Sequence, residues 1–169
     1  MNNNLLYRLL KTKFGYDTFR PMQEKIICHT IDGGDSLVLM PTGGGKSLCF
    51  QISALAMDRM AVIVSPLISL MKDQVEALKA NGIAAEALNS SNDEGKNRDI
   101  INRCLEGKVK LLYISPERLV SGMMHLLQKT NVSLFAIDEA HCISSWGHDF
   151  RPEYTQLRLL RELFPSVPI

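Results

Sequence analysis

The segment from Met40 to Phe50, "MPTGGGKSLCF", combines residue types that bind phosphate. Its glycines, Gly43–Gly45, let backbone N–H groups converge on phosphate oxygens without Cβ interference. The amine of Lys46 can reach the β- and γ-phosphates of a nucleotide, and the Ser47 hydroxyl can bind Mg²⁺. The common pattern G-x-x-x-x-G-K-[ST] would put a glycine at Met40, but that residue would end a strand before the anion cradle begins. The segment predicts a phosphate loop, and a flexible loop without a ligand is the alternative.

A second group of chemical interest closes the segment "LFAIDEAH", residues 134–141. Asp138 would follow a buried strand, where an aspartate can hold Mg²⁺ directly or through water. Glu139 points differently and could orient or deprotonate an attacking water. An ordinary acidic loop after a strand is the alternative. In combination with Lys46 and Ser47, however, the two carboxylates indicate an Mg²⁺-dependent NTPase.

These groups need a sheet to position them, and the chain alternates strand-like with helix-like segments. The strand-like runs are rich in Val, Ile and Leu without polar alternation, which is typical of parallel strands buried on both faces. They predict an α/β fold: a three-layer parallel β-sheet with helices on both faces. The runs are 36–40, 61–65, 110–115 and 134–138, with 83–89 as a weaker fifth.

Several junctions between these elements carry helix start and stop signals. In "VIVSPLISL" and "LYISPERLV", Ser65 or Ser115 can cap a helix whose first residue is the following proline. These junctions place loops at the carboxyl ends of strands, the edge where ligands of open parallel sheets bind. Glycine stands at three expected helix stops: Gly33, Gly82 and Gly107.

Bulk composition is that of a globular protein of one domain. The 169 residues are 46% hydrophobic and 22% charged, and a net charge of +1 neither indicates nor excludes a nucleic-acid partner. The four cysteines form no C-x-x-C pair, which favours buried thiols in a reducing compartment over disulfides or zinc. Neither a signal peptide nor a run of about 20 apolar residues is present, so we expect a cytoplasmic protein without a membrane partner.

The motifs together resemble a known family. "PTGGGKS" with "DEAH" resembles the superfamily 2 helicases, whose first motif lacks the early glycine. More narrowly, the chain from about residue 5 onward resembles the RecQ family of ATP-dependent DNA helicases. The segments that carry this resemblance are "FGYDTFRPMQEKII", "MPTGGGKSLCFQISAL", "SPLISLMKDQVEAL", "LLYISPERL" and "DEAHCISSWGHDFRPEY".

The resemblance implies a RecA-like P-loop lobe, the N-terminal ATP-binding domain of a helicase, over residues 1–169. It implies Mg²⁺-ATP as cofactor and 3′-to-5′ unwinding of duplex DNA in recombination and repair, near the nucleoid if the source is bacterial. Residues 1–30 would form the adenine-recognition segment, and a glutamine amide there suits an adenine edge, which favours ATP over GTP. The family positions for ATP fall on Tyr16, Arg20, Gln23, Met40, Pro41, Thr42, Gly43, Gly44, Gly45, Lys46 and Ser47. Those for catalysis fall on Lys46, Asp138, Glu139 and His141, and those for Mg²⁺ on Ser47 and Asp138.

The resemblance also implies a track for single-stranded DNA. "CISSWGHDFRPEY" (142–154) matches an aromatic-rich loop that couples DNA binding to hydrolysis, and base stacking on aromatic rings is worth about 1–3 kcal/mol per base. For Phe150 and Tyr154, packing in the core is the alternative, and for Lys72 it is a solvated surface charge. The positions implied for DNA binding or coupling are Ser65, Ser69, Lys72, Trp146, His148, Phe150 and Arg151.

Members of this family have parts that we do not find in the 169 residues. These are a second lobe with an arginine finger, typically worth about 10³–10⁵ in rate, a zinc module and a winged helix. A strand ending in Thr-Ala-Thr would follow "PSVPI" and lie between the lysine-loop strand and the acidic strand. We therefore expect a longer polypeptide and an isolated lobe without activity. A superfamily 2 RNA helicase lobe and a non-catalytic nucleotide-binding module are the alternatives.

Overall fold

A computed structural model describes residues 3–40, 45–140 and 152–169. Within these residues four parallel strands form one sheet in the order β2-β3-β1-β4. Val62 of β1, for example, lies opposite Leu112 of β3 and Phe135 of β4. The strands are β1 (Met60–Val64), β2 (Ala85–Leu88), β3 (Leu111–Ile114) and β4 (Val132–Ile137).

Helices connect and cover the strands. Those of at least nine residues are α1 (Asn3–Phe14), α2 (Gln23–Ile31), α3 (Lys46–Ala56), α4 (Ile68–Ala80) and α5 (Glu94–Leu105). The shorter ones are α6 (Pro116–Arg118), α7 (Met124–Leu127), α8 (Pro152–Thr155) and α9 (Leu159–Leu163), with a π-helical turn at Leu119–Met123 and a 3₁₀ turn at Gln156–Arg158. No helix in the described part of the chain is both long and apolar enough to cross a bilayer.

The core has two layers, one on each face of the sheet. Because side chains of a strand alternate between faces, Val62 and Val64 pack on one side and Ala61 and Ile63 on the other. The first side is covered by α5, α7 and the α8–α9 segment, and the second by α3 and α4. This three-layer arrangement confirms the fold predicted from the sequence.

A smaller apolar cluster holds the N-terminal helices against α3. Leu6 and Leu10 of α1 and Ile27 of α2 are fully buried there against Leu48 and Ile52 of α3. The predicted adenine-recognition segment is therefore packed against the helix that carries Lys46.

The prediction of a strand at residues 36–40 is wrong for the described structure. The segment has no regular secondary structure, and Leu37 and Leu39 are 79% and 88% exposed. A strand needs a hydrogen-bonded neighbour, and the described sheet ends at β4 on this side. Instead, the Ser36 N–H donates to the Ile169 carbonyl at 3.2 Å, and the Phe135 N–H donates to the Pro168 carbonyl at 3.0 Å. Residues 168–169 thus lie between β4 and segment 36–40.

One of the two predicted serine caps is present. The Ser115 hydroxyl accepts a hydrogen bond from the Arg118 N–H, and Pro116 begins α6. The prediction for Ser65 is wrong, because Leu67 has an extended backbone and α4 begins only at Ile68. The three predicted stop glycines follow helix ends with positive φ angles, which confirms them: Gly33, Gly82 and Gly107.

Candidate active site

The lysine and the two carboxylates meet at the carboxyl edge of the sheet. Lys46 is the first residue of α3, and Asp138 directly follows β4. The Lys46 Nζ atom lies 3.4 Å from Asp138 Oδ1 and 4.0 Å from Glu139 Oε1. Groups separated by about 90 residues therefore form one charged cluster, as the sequence predicted.

Three hydrogen bonds hold the turn that carries the two carboxylates. The Asp138 N–H donates to the Val64 carbonyl of β1 at 2.8 Å, which continues the strand pairing by one residue. Glu139 has a left-handed backbone (φ 56°), and its N–H donates to Asp138 Oδ1 at 3.0 Å. The buried Tyr154 hydroxyl donates to the Asp138 carbonyl at 2.9 Å. These bonds fix the backbone of the turn and the position of the Asp138 carboxylate.

The sequence did not predict that the Tyr154 hydroxyl would hold the turn after β4. The Tyr154 ring packs in the core, which confirms the alternative given above for this residue. The signal available was a tyrosine rather than a phenylalanine on an apolar helix face, since a buried hydroxyl needs a hydrogen-bond partner.

The glycine loop is tied to the N-terminal segment by Gln23. This side chain is only 1% exposed, and its amide nitrogen donates to the Gly45 carbonyl at 3.0 Å while its amide oxygen accepts from the Arg20 N–H at 2.7 Å. Gly45 has φ 81°, and a methyl group on it would overlap Gln23 Nε2. Only glycine fits this position without strain. These two bonds leave one amide hydrogen and one oxygen lone pair of Gln23 for a further partner. Because the side chain is buried, adenine could reach them only if this segment opened.

Three other residues predicted to bind ATP differ in how far they are exposed. Tyr16 is exposed, Met40 packs partly against the cluster of α1, α2 and α3, and Ser47 is half-buried in the first turn of α3. Some predicted residues lie outside the described part of the chain: Pro41, Thr42, Gly43, Gly44, His141, Trp146, His148, Phe150 and Arg151.

The predicted DNA-contact residues near α4 separate into two groups. Ser69 and Lys72 are exposed on the first turns of α4. Ser65 is 2% exposed, and its hydroxyl accepts from the Leu67 N–H at 3.4 Å. In this conformation Ser65 cannot reach a nucleic-acid backbone.

The donor set fits Mg²⁺ and a nucleotide phosphate. Hydroxyl and carboxylate oxygens, as on Ser47 and Asp138, are ligands that Mg²⁺ prefers. The ammonium of Lys46 offsets one of the two carboxylate charges at this position, which leaves a net negative charge for a cation. The N-terminus of α3, which begins at Lys46, favours an anion such as a phosphate.

The sequence that forms this site matches a known protein family. Residues 20–168 match the DEAD/DEAH box helicase family. The chain belongs to that family. Among named DEAD/DEAH box helicase relatives, it is 54% identical over 162 residues to the ATP-dependent DNA helicase RecQ of Pasteurella multocida and 52% identical to that of Haemophilus influenzae. Each alignment covers 95% of this chain and 26% of the relative. The predicted resemblance to RecQ helicases is confirmed.

The chain thus spans about a quarter of the length of these two relatives. A solved structure of a hypothetical ATP-dependent RNA helicase from Sulfolobus tokodaii superposes with a TM-score of 0.73. The superposition covers 99% of this chain and 49% of the Sulfolobus tokodaii chain. The sequence identity is 17%, so the similarity concerns the fold alone. The fold is that of a RecA-like helicase lobe.

Proposed function

We propose that the chain is the ATP-binding lobe of a RecQ-type DNA helicase, which unwinds duplex DNA 3′-to-5′ with Mg²⁺-ATP in recombination and repair. The observation that carries the proposal is the approach of the Lys46 ammonium to Asp138 and Glu139 at the carboxyl edge of the sheet. The similarity to DNA helicases named RecQ supports DNA rather than RNA as the track.

Each polar group of this cluster has a role in hydrolysis. Lys46 binds the β- and γ-phosphates, and Ser47 with Asp138 would hold Mg²⁺. When bound, Mg²⁺ neutralises negative charge on the phosphates. Glu139 accepts the proton of the attacking water on a carboxylate oxygen. His141 links this site to the DNA track.

The base is recognised by the N-terminal segment. Tyr16 stacks on adenine, and Arg20 and Gln23 bind its polar edge. The Gln23 amide also bonds to Gly45 and to the Arg20 backbone, so one side chain connects the base-binding segment to the phosphate loop.

Single-stranded DNA lies along the loops at the same edge of the sheet. Ser69 and Lys72 contact its backbone, and Trp146 of the segment 142–154 stacks on a base. Ser65 joins them only if the turn before α4 rearranges. We propose that the whole protein acts in the cytoplasm, associated with the nucleoid if its source is bacterial.

The lobe acts together with further parts of a longer polypeptide. A second lobe supplies an arginine finger to the ATP clamped between the lobes. A further strand continues from Ile169 between β4 and segment 36–40. A mostly apolar groove of about 310 Å³ between these two elements supports this position; it is lined by Leu37, Phe135 and Ile137 among others.

The test is Glu139→Gln in the full-length polypeptide. The variant is expected to bind ATP with wild-type affinity and to lose turnover, because an amide cannot accept the proton of water. Equilibrium binding of labelled ATP and steady-state phosphate release measure the two properties. Glu76→Gln, an exposed glutamate on α4, is the matched control and should turn over ATP normally. Normal turnover by Glu139→Gln would remove Glu139 as the base.

A comparison of nucleic acids tests the substrate class. Single-stranded DNA should stimulate ATP hydrolysis by the full-length polypeptide more than RNA of the same sequence. A stronger response to RNA would favour the RNA helicase alternative.

A further inference from the structure

A chain of hydrogen bonds crosses the apolar layer between the sheet and two helices. The Gln51 Nε2 atom of α3 donates to the Tyr113 hydroxyl of β3 at 3.0 Å. That hydroxyl donates in turn to Gln74 Oε1 of α4 at 2.7 Å. Tyr113 is 1% exposed, and Gln51 is also buried. The three residues therefore join α3, β3 and α4 through one phenol oxygen.

The surroundings of this chain are apolar. Ile63, Met71 and Val75 are buried in the same layer, and Phe50 contacts the Tyr113 ring edge-on. Burying an amide here costs free energy, which its hydrogen bonds offset. Apolar residues of similar size would therefore stabilise this layer about equally well. A fully hydrogen-bonded polar network in such a layer specifies one arrangement of the packed elements.

The phenol is the one group of the three that both accepts and donates in this chain. Burial raises the pKa of Tyr113, the hydrogen bond from Gln51 lowers it in part, and the charge of Asp138 raises it, so the net change is a rise. The hydroxyl therefore keeps its proton at neutral pH and continues to donate to Gln74. Phenylalanine in this position would preserve the ring and remove both bonds.

The two ends of the chain lie on the helices that carry the two candidate sites. Gln51 is on α3, which begins with Lys46. Gln74 is on α4, the helix of the exposed Ser69 and Lys72. Gln51 and Gln74 are thus the two points at which the Tyr113 hydroxyl connects α3 to α4.

We propose that Tyr113, held by Gln51 and Gln74, is a positioning residue that couples the nucleotide site on α3 to the DNA-facing surface of α4. The inference rests on the proposed function, because it assigns ATP to one helix and DNA to the other. It adds a path between them that runs through the interior of the lobe.

Tyr113→Phe in the full-length polypeptide tests the path. The quantity to measure is the ratio of ATP hydrolysis with saturating single-stranded DNA to hydrolysis without DNA. We expect this ratio to fall about tenfold, together with loss of the change in DNA affinity when an ATP analogue is added. A role in stability alone would leave both quantities unchanged in the folded fraction of the protein.

Three companion variants separate coupling from stability. Ile63→Val removes one methyl group from the same layer, at a cost comparable to a lost hydrogen bond, and should keep the wild-type ratio. Gln74→Leu should lower the ratio as Tyr113→Phe does. Gln74→Glu retains an acceptor for the phenol and should keep most of the wild-type ratio.

The possible results have distinct meanings. Wild-type protein that DNA does not stimulate would overturn the proposed function and the coupling path together. Stimulated wild-type protein with an unchanged ratio in Tyr113→Phe would overturn the path alone. An equal loss of the ratio in Ile63→Val would also overturn it, because destabilisation of the layer would then be the cause.

Discussion

The contact between Gly45 and Gln23 makes Gly45→Ala an informative substitution at the phosphate loop. Two separate costs follow from the structure. Alanine at φ 81° adopts the left-handed region, which costs about 1–2 kcal/mol. The new methyl group also overlaps Gln23 Nε2, so the buried amide loses the Gly45 carbonyl, at about 1–3 kcal/mol. We expect a total destabilisation of about 2–5 kcal/mol at the start of α3.

Hydrogen exchange of the α3 amides in the full-length polypeptide measures this cost as a local opening free energy. At about 1.4 kcal/mol per factor of ten, the lower limit corresponds to roughly 30-fold faster exchange. Gly107→Ala is the matched control, because Gly107 has φ 74° and an added methyl group would meet nothing within 4 Å. Gly107→Ala should cost only the free energy of the left-handed backbone, about 1–2 kcal/mol, measured by hydrogen exchange of the α5 amides.

A double-mutant cycle identifies the second cost. In a Gln23→Ala background the overlap is absent, so Gly45→Ala should cost only about 1–2 kcal/mol. Two results would refute the reasoning. One is a cost for Gly45→Ala no larger than for Gly107→Ala, and the other is a cost that Gln23→Ala does not reduce.

Two further predictions concern other parts of the chain. Trp146→Ala should abolish stimulation of ATP hydrolysis by single-stranded DNA and spare ATP binding, as measured by phosphate release and ATP titration; retained stimulation would contradict a stacking role. Burial raises the pKa of Cys49 and of Cys104 to about 11, so at about pH 8 roughly one in a thousand of these thiols is the reactive thiolate. A thiol reagent should therefore modify the half-buried Cys28 before Cys49 or Cys104, and the reverse order, read by mass spectrometry, would contradict the described packing.

The strands were predictable where both faces of the sheet are covered. Burial on two sides demands a continuous apolar run, and such runs became β1, β3 and β4, with β2 from the weaker fifth candidate. The run at 36–40 has the same composition, yet composition reports burial and does not supply a hydrogen-bonded neighbour. The strand prediction at that segment was wrong for this reason.

The convergence of Lys46 with Asp138 and Glu139 was predicted from strand ends that a parallel sheet brings to one edge. That premise holds for the two carboxylates, which follow β4, but not for Lys46, because segment 36–40 before it forms no strand. The contacts that hold these groups were not predicted. Gln23 reaches Gly45 across 22 residues and Tyr154 reaches Asp138 across 16. Such pairs depend on how helices pack in three dimensions. The residue type at Tyr154 indicates that a buried hydroxyl needs a partner, but it does not identify the partner.

Binding of Mg²⁺-ATP to the full-length polypeptide, followed by titration calorimetry, tests the central claim most directly. The claim is that Lys46 and Asp138 converge on one triphosphate–metal unit. A charged hydrogen bond is worth about 1.5–3 kcal/mol, so Lys46→Ala should weaken binding about 10- to 150-fold. Asp138→Asn should remove the dependence of affinity on Mg²⁺. The exposed Lys129, which precedes β4 at the opposite edge of the sheet, supplies the control Lys129→Ala, which should bind as wild type does. Wild-type affinity and Mg²⁺ dependence in both site variants would contradict the account.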